Sequence, residues 1–386
     1  MDRHTKIKRH KHIYHKSIFR ITPLSAIILV VSGLLLFGLG WVLYEPVYSI
    51  ITGDFKTSQT EKLQPEPPAV IPTPQTSTPD VKPPSDTAKP NSVPNTSNSV
   101  IKAAYLPFEI VADKAQFSEA LDTLKTKGFT DVMIDLKNPY GNVLYSSQST
   151  AATTLGTITT NPFNASDAVK LIKQKGLQPI ARIYAFKDAL AANKNLSMAI
   201  SYNGTKWLWL DNSIENGGKP WLNPYSLDAQ KYISELTNEA ADLGFTRIIL
   251  DSVQFPQGVG LELADYGENS SAKTKSAVLS DFVKELKSSA QQKGSQLYIF
   301  ADSTAATDNN TAYFGGDTWA VCGTSPVISI TGDAEAVKML TDSINAKLND
   351  TSNVVAMLEL GAESQIDALK AAGIENYIIY NNAGKY

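Results

Sequence analysis

One unit recurs through the last three-quarters of this chain and narrows the folds open to it. An amphipathic helix ends on a glycine, two to four residues follow, and an apolar strand begins. The unit appears at Gly128 before Asp131–Leu136, at Gly176 before Pro179–Tyr184 and at Gly244 before Ile248–Asp251. It returns at Gly294 before Leu297–Asp302 and at Gly373 before Tyr377–Tyr380. Glycine just past a helix end takes the left-handed backbone at no steric cost, so each of these positions reads as a helix stop. The helices carry the matching stripe: Ala229, Tyr232, Ile233, Leu236 and Ala240 in one, Val278, Leu279, Phe282, Val283 and Leu286 in another. Ile248, Ile249 and Leu250 are consecutive rather than alternating, as in a strand buried on both faces. Pro256 cannot extend such a strand, so the chain turns soon after Asp251.

Three further strands fit without the glycine: Ile101–Phe108, Pro326–Ile330 and Val354–Leu360, with a helical pattern over Ala334–Lys347 between the last two. Eight strands separated mostly by helices over residues 100–386 predict an α/β fold of the (β/α)8 TIM-barrel type. An open doubly wound sheet is the alternative, but no glycine-rich phosphate loop follows the first strand. The stretch Ser303–Thr318 is polar and shows no clear helix.

The chain before the barrel has a different character. Residues 1–20 form a basic tail, and residues 21–44 carry no charge, long enough for a transmembrane helix of roughly 20 residues. Trp41 and Tyr44 suit the membrane interface, and the basic flank predicts a cytoplasmic N-terminus with the barrel outside the cytoplasm. A cleaved signal peptide would have a shorter apolar core and a small-residue cleavage site. Residues 45–99 are rich in Pro, Ser and Thr; half of the chain's 20 prolines lie between Pro65 and Pro94. Such a segment cannot bury a core and is expected to be a disordered linker.

Composition then removes several kinds of chemistry. All four histidines (His4, His10, His12 and His15) lie in the basic tail, and Cys322 is the only cysteine. The barrel therefore has no Ser–His–Asp triad, no histidine-ligated zinc and no internal disulfide, and no metal or cofactor is expected. The tail takes seven of the 35 Lys/Arg and one of the 38 Asp/Glu, leaving 28 basic against 37 acidic residues, a poor match to nucleic acid. The oligomeric state is not legible.

In a barrel the site lies at the carboxyl ends of the strands. Those ends carry Asp135 and Lys137, Arg182 and Tyr184, Asp251, Asp302, and Glu359. Several carboxylates beside Lys and Arg, with no histidine, is the equipment of glycoside hydrolysis, which needs one carboxylic acid and one carboxylate nucleophile or base. Each also has a plainer reading: Asp135 paired with Lys137 or Arg182, Asp302 a turn former, Glu359 at a helix start. A Schiff-base lyase using Lys137 is a further reading, weakened by the carboxylates that keep that lysine protonated. Trp207, Trp209, Trp221 and Trp319 lie in long loops, either as platforms for sugar rings or as small loop cores, the second being the expectation for Trp207 and Trp209.

From about Lys102 to Tyr386 the chain resembles bacterial glycoside hydrolases with an α-amylase-like barrel, many of them known only as a domain of unknown function. The likeness rests on Ile134-Asp135-Leu136-Lys137 with Gly141 and Tyr145, on Ala181-Arg182-Ile183-Tyr184-Ala185-Phe186-Lys187-Asp188, and on Trp221-Leu222-Asn223-Pro224. Gly244-Phe245, Asp251-Ser252-Val253-Gln254-Phe255-Pro256, Gln365-Ile366, Tyr380-Asn381 and Tyr386 complete it. The resemblance implies Asp251 as nucleophile and Asp302 as acid/base; the rival pair, Asp251 and Glu359, follows the fourth-and-seventh-strand arrangement of other barrel glycosidases. It implies substrate contacts from Asp135, Lys137, Arg182, Tyr184, Trp221 and Asn223, and a polysaccharide or glycan as substrate. The chain departs from the family pattern at Ser252 and Gln254, where an aromatic and an arginine are usual. It departs again after Pro326, and at Glu359 in place of glutamine. These departures leave two functions open: a hydrolase of altered specificity, and a barrel that binds surface glycan without cleaving it.

Overall fold

The computed structural model describes residues 99–308, 311–361 and 364–386. The expected basic tail, membrane segment and all but the end of the linker lie outside the described residues. Among the described residues no helix is long and apolar enough to cross a membrane.

Eight strands run in chain order: β1 (Lys102–Leu106), β2 (Asp131–Lys137), β3 (Gln178–Tyr184), β4 (Arg247–Asp251), β5 (Gln296–Ala301), β6 (Pro326–Ile330), β7 (Val355–Glu359) and β8 (Asn376–Tyr380). Each pairs in parallel with the next, and β1 pairs with both β2 and β8, so the sheet closes on itself. That closure excludes the open doubly wound sheet. Outside lie α1 (Lys114–Thr126), α2 (Ala165–Gln174), α3 (Leu227–Asp242), α4 (Lys275–Gln292), α5 (Thr318–Cys322), α6 (Ala334–Lys347) and α7 (Ser364–Ala371). Side-chain caps start them: Asp113 accepts from two amides of α1, Ser226 caps α3 and Thr274 caps α4. Gly244, at φ 95°, makes the left-handed turn out of α3.

Most strand boundaries shift by a residue from the sequence expectation, and two end early for a visible reason. β1 stops at Leu106 because Pro107 leads directly into a short helix, Phe108–Ala112. β5 stops at Ala301 because the Asp302 carboxylate accepts the Ala305 amide and caps a helix over Ser303–Thr307. The polar Ser303–Thr318 stretch thus holds short helical turns, too brief to show an amphipathic period.

Two cores result. Leu121, Val169, Leu236, Ile248 and Leu279 fill the layer between barrel and helices. Met133, Ile180, Ile249, Tyr298, Val327 and Ile378 fill the lumen. The alternation of each strand decides which residues go inward. At the amino-terminal end the lumen is sealed by a buried ion pair between Arg247 and Asp131.

Two additions sit on the carboxyl-terminal side. Strand Val143–Tyr145 runs antiparallel to β2, and Ile158–Phe163 pairs in parallel with Val143–Tyr145. The long connections after β3 and β4 meet in a small antiparallel sheet, where Ser201–Tyr202 pairs with Ala264–Asp265.

Candidate active site

Alternation places Tyr105 of β1, Asp135 of β2, Arg182 of β3, Asp251 of β4 and Tyr380 of β8 in the lumen at one end, the end where the strands stop. Asp135 holds Arg182 with both oxygens: Nε to Oδ1 is 2.6 Å and Nη2 to Oδ2 is 3.0 Å. The Tyr105 hydroxyl donates to Asp135 Oδ2 at 2.9 Å. The guanidinium carbon lies 4.9, 5.1 and 5.0 Å from the ring centres of Tyr105, Tyr184 and Tyr380. Tyr105 and Tyr380 themselves stack at 4.5 Å. A planar cation boxed by three rings and forked onto a carboxylate has almost no freedom left. Burial alone would lower the Arg182 pKa, yet Asp135, Tyr184 and Asp251 around it hold it above its ordinary value.

Asp251 stands opposite Tyr184 in the β3–β4 register and is 7% exposed. Burial pushes its pKa up from the ordinary carboxylate value. Arg182, the Ser252 hydroxyl and Lys187 oppose that rise, while Asp135 adds to it. Ser252 Oγ donates to Asp251 Oδ1 at 2.9 Å. Its backbone sits at φ 54°, a left-handed position that costs a residue other than glycine about 1–2 kcal/mol. The strain is held in place by two bonds across the strand ends: Ala185 N–H to Asp251 O at 2.8 Å and Phe186 N–H to Ser252 O at 3.2 Å.

The remaining candidates fall into two groups. Asp302 continues the inward alternation of β5 and borders the same end of the lumen. Its carboxylate accepts the Ala305 amide at 2.7 Å and the Tyr313 hydroxyl at 3.1 Å on each oxygen. Extending the β4–β5 register puts its Cα two residues beyond Asp251's neighbour, about 8 Å from the Asp251 Cα by ordinary strand spacing. Glu359 ends β7 opposite Tyr380, is exposed, and has no polar partner among the described residues.

Lys137, Asn223 and Trp221 are not brought into that lumen. The β2–β3 register shifts between Asp135 and Lys137, a bulge that turns Lys137 out toward the helices. There its Nζ is 2.9 Å from Asp188 Oδ2, 2.6 Å from Tyr184 O and 5.8 Å from the Tyr232 ring, with no exposure. Burial lowers its pKa and Asp188 opposes the fall. Sealed off, it offers no nitrogen to a carbonyl substrate, which removes the Schiff-base reading. Asn223 spends its amide within the loops, accepting from Tyr225 N–H and donating to Tyr266 O. Trp221 is buried against Ile200 and Trp209, its Nε1 donating to Asp211. Trp209 is likewise a loop core, with its Nε1 donating to Gly260 O.

Sequence reading missed Tyr105, Tyr380 and Lys187. The first two were accessible from alternation, since Ala103 and Ile378 already mark the inward positions of β1 and β8. Lys187 was not, because it lies beyond β3, exposed, with its Nζ 5.9 Å from the Trp221 ring.

Residues 103–313 match the family described as "Putative glycosyl hydrolase domain", more than half of the chain. The chain belongs to that family. No curated protein matched it. Among solved structures, it is similar to the glycoside hydrolase domain of PgaB (BpsB) from Bordetella bronchiseptica. That likeness has a TM-score of 0.54 and 11% identity, covering 74% of this chain and 95% of the other. A hypothetical protein from Ruminiclostridium thermocellum ATCC 27405 is 23% identical over 51% of this chain and 96% of the other, at TM-score 0.44. The catalytic domain of a β-amylase from Paenibacillus polymyxa is 12% identical over 74% and 96%, at TM-score 0.46. The PgaB likeness supports the barrel architecture, and the family match supplies the class of chemistry.

Ser252 separates two effects that substitution can pull apart. Ser252→Gly removes the hydroxyl but relieves the left-handed strain, whereas Ser252→Ala removes the hydroxyl and keeps the strain. Both should move the titration of Asp251, followed by isotope-edited infrared of its carboxyl, to higher pH. In urea unfolding the alanine variant should be less stable than the glycine variant by about 1 kcal/mol. Equal stability, or an unmoved titration, would contradict the assigned geometry.

Proposed function

We propose that this protein is a membrane-anchored glycoside hydrolase whose barrel faces outward and cleaves a cell-surface or extracellular polysaccharide. The observation that carries the reading is Asp251, a carboxylate buried at the carboxyl end of β4 beside a fixed Arg182. In this reading Asp251 attacks the anomeric carbon as a carboxylate and Asp302 protonates the leaving oxygen. Asp302 then takes the proton of the water that frees the sugar. Arg182 and the Ser252 hydroxyl favour the ionised form of Asp251, against the cost of burial. Tyr184, half-buried at the edge of the same lumen, and Tyr380 border the sugar ring. Asp135 acts through Arg182 as a positioning residue. The uncharged segment 21–44 and the Pro-rich linker support the anchored, outward arrangement.

One observation favours a second reading, a glycan-binding barrel without turnover. The Asp302 carboxylate is already engaged by the Ala305 amide and the Tyr313 hydroxyl on both oxygens. Glu359, at the end of β7 and without a polar partner among the described residues, is the other carboxylate to test with Asp251.

The test is release of reducing ends from cell-surface polysaccharide by the full-length protein. Asp251→Asn should lower kcat by about three orders of magnitude or more with a smaller change in KM. No turnover by the wild type, with glycan retained on the protein, establishes the binding-only reading instead. The same variant carries a stability signature. A carboxyl whose folded pKa is raised contributes stability below its unfolded value, and that contribution is lost as pH rises through the folded value. Asp251→Asn should therefore melt higher than wild type at neutral pH, with the difference gone below about pH 4. A lower melting temperature at neutral pH would mean that the ionised carboxylate stabilises the fold. Protease added to intact cells should release a fragment of the barrel's size; failure to do so places the barrel elsewhere.

A further inference from the structure

The connection after β3 carries an aromatic pair that the lumen chemistry does not use. Residues 200–202 and 207–209 form two rungs of an antiparallel hairpin: Trp209 N–H donates to Ile200 O at 3.0 Å, and Tyr202 N–H to Trp207 O at 2.8 Å. Ser201 and Leu208 form the bridge between those rungs. By strand alternation the Ile200–Trp209 and Tyr202–Trp207 pairs project from one face, and directly opposed residues lie about 5 Å apart at Cβ. The first rung is covered: Ile200 and Trp209 are buried with Trp221, and Trp209 Nε1 is tied to Gly260 O of the connection after β4. The second rung is open, with Tyr202 43% and Trp207 78% exposed.

This open rung is built rather than frayed. The turn between the two strands holds Asn203 at φ 41° and Gly204 at φ 68°. Thr205 Oγ1 donates to Tyr202 O at 2.6 Å and accepts from Trp207 N–H at 3.1 Å, while Asn203 N–H donates to Leu263 O at 2.8 Å. A fixed backbone lowers the entropy cost of ordering aromatic side chains on a ligand. Paired across the open rung, the two rings present one contiguous exposed aromatic surface rather than a single scattered residue.

We propose that Tyr202 and Trp207 form a secondary glycan-binding platform, stacking on successive sugar rings of a polysaccharide outside the lumen. The occupant is inferred from continuity. The two segments of the small sheet spring from the carboxyl ends of β3 and β4, the strands that present Arg182, Tyr184 and Asp251. The platform therefore belongs to the face where the substrate chain enters. Aromatic faces flanked by hydroxyl and amide groups match the alternating apolar faces and polar edges of pyranose rings. The inference rests on the glycan-active reading, but its test is independent of turnover.

The experiment is affinity electrophoresis of the full-length protein, in detergent, through gels containing hydroxyethyl cellulose, laminarin, xylan or glycol chitin. At least one of these polymers should retard the wild type, and Trp207→Ala should weaken that retardation about tenfold, with Tyr202→Ala acting in the same direction. Asp251→Asn should leave retardation intact while abolishing any turnover, so failure of the platform and failure of the catalytic reading give different patterns. Retardation of wild type and Trp207→Ala alike, or of neither by any of the four polymers, overturns the platform. A fall in oligomer mass on Trp207→Ala, measured by sedimentation, would assign the face to contact between copies and likewise overturns it.

Discussion

The site depends on the forked ion pair between Asp135 and Arg182. Two buried charges at hydrogen-bonding distance offset each other's desolvation only when the geometry is good and the leftover donors and acceptors are satisfied. Here the Tyr105 hydroxyl takes up Asp135 Oδ2, and three rings enclose the guanidinium. Removing one partner from such a pair costs about 3–5 kcal/mol, because the other charge stays buried. With the guanidinium fixed, Asp251 has a permanent positive neighbour, and its burial becomes tolerable. The same arrangement ties β1, β2, β3, β4 and β8 together at the carboxyl end, as the Arg247–Asp131 pair ties the amino end.

Asp251 also carries the tension between stability and chemistry. Burial raises its pKa, while the proposed reaction asks for the ionised form. Opposing that rise are Arg182 and the hydroxyl of Ser252, a serine in a left-handed backbone that donates to the carboxylate. Both features cost something locally. Backbone strain beside a buried ionisable group is characteristic of functional sites.

Much of the barrel was legible because its repeating unit is local. Glycine after a helix, a capping side chain before one, and consecutive β-branched and leucine residues each report on a few neighbours, and they recur. The strand ends at Asp135, Arg182 and Asp251 follow from the same pattern. What alternation could not show was the bulge after Asp135, a register slip set by the partner strand, which sends Lys137 out of the lumen to Asp188. Nor could loop composition separate Trp209 and Trp221, buried in the small sheet, from Trp207, exposed beside them. That distinction depends on which rung of the hairpin the second connection covers. Asp302 was legible as a strand-end carboxylate, but its capping of a five-residue helix was not, because so short a helix shows no period.

The central claim is that Asp251 attacks the sugar, and covalent trapping tests it most directly. The full-length protein would be incubated with 2-deoxy-2-fluoroglycosyl fluorides of several common sugars, digested with trypsin and analysed by mass spectrometry. One fluorosugar adduct is expected, on the peptide Ile248–Lys273, which contains Asp251. An adduct on the peptide that contains Glu359, or hydrolysis of the unfluorinated sugars with no adduct at all, would contradict it.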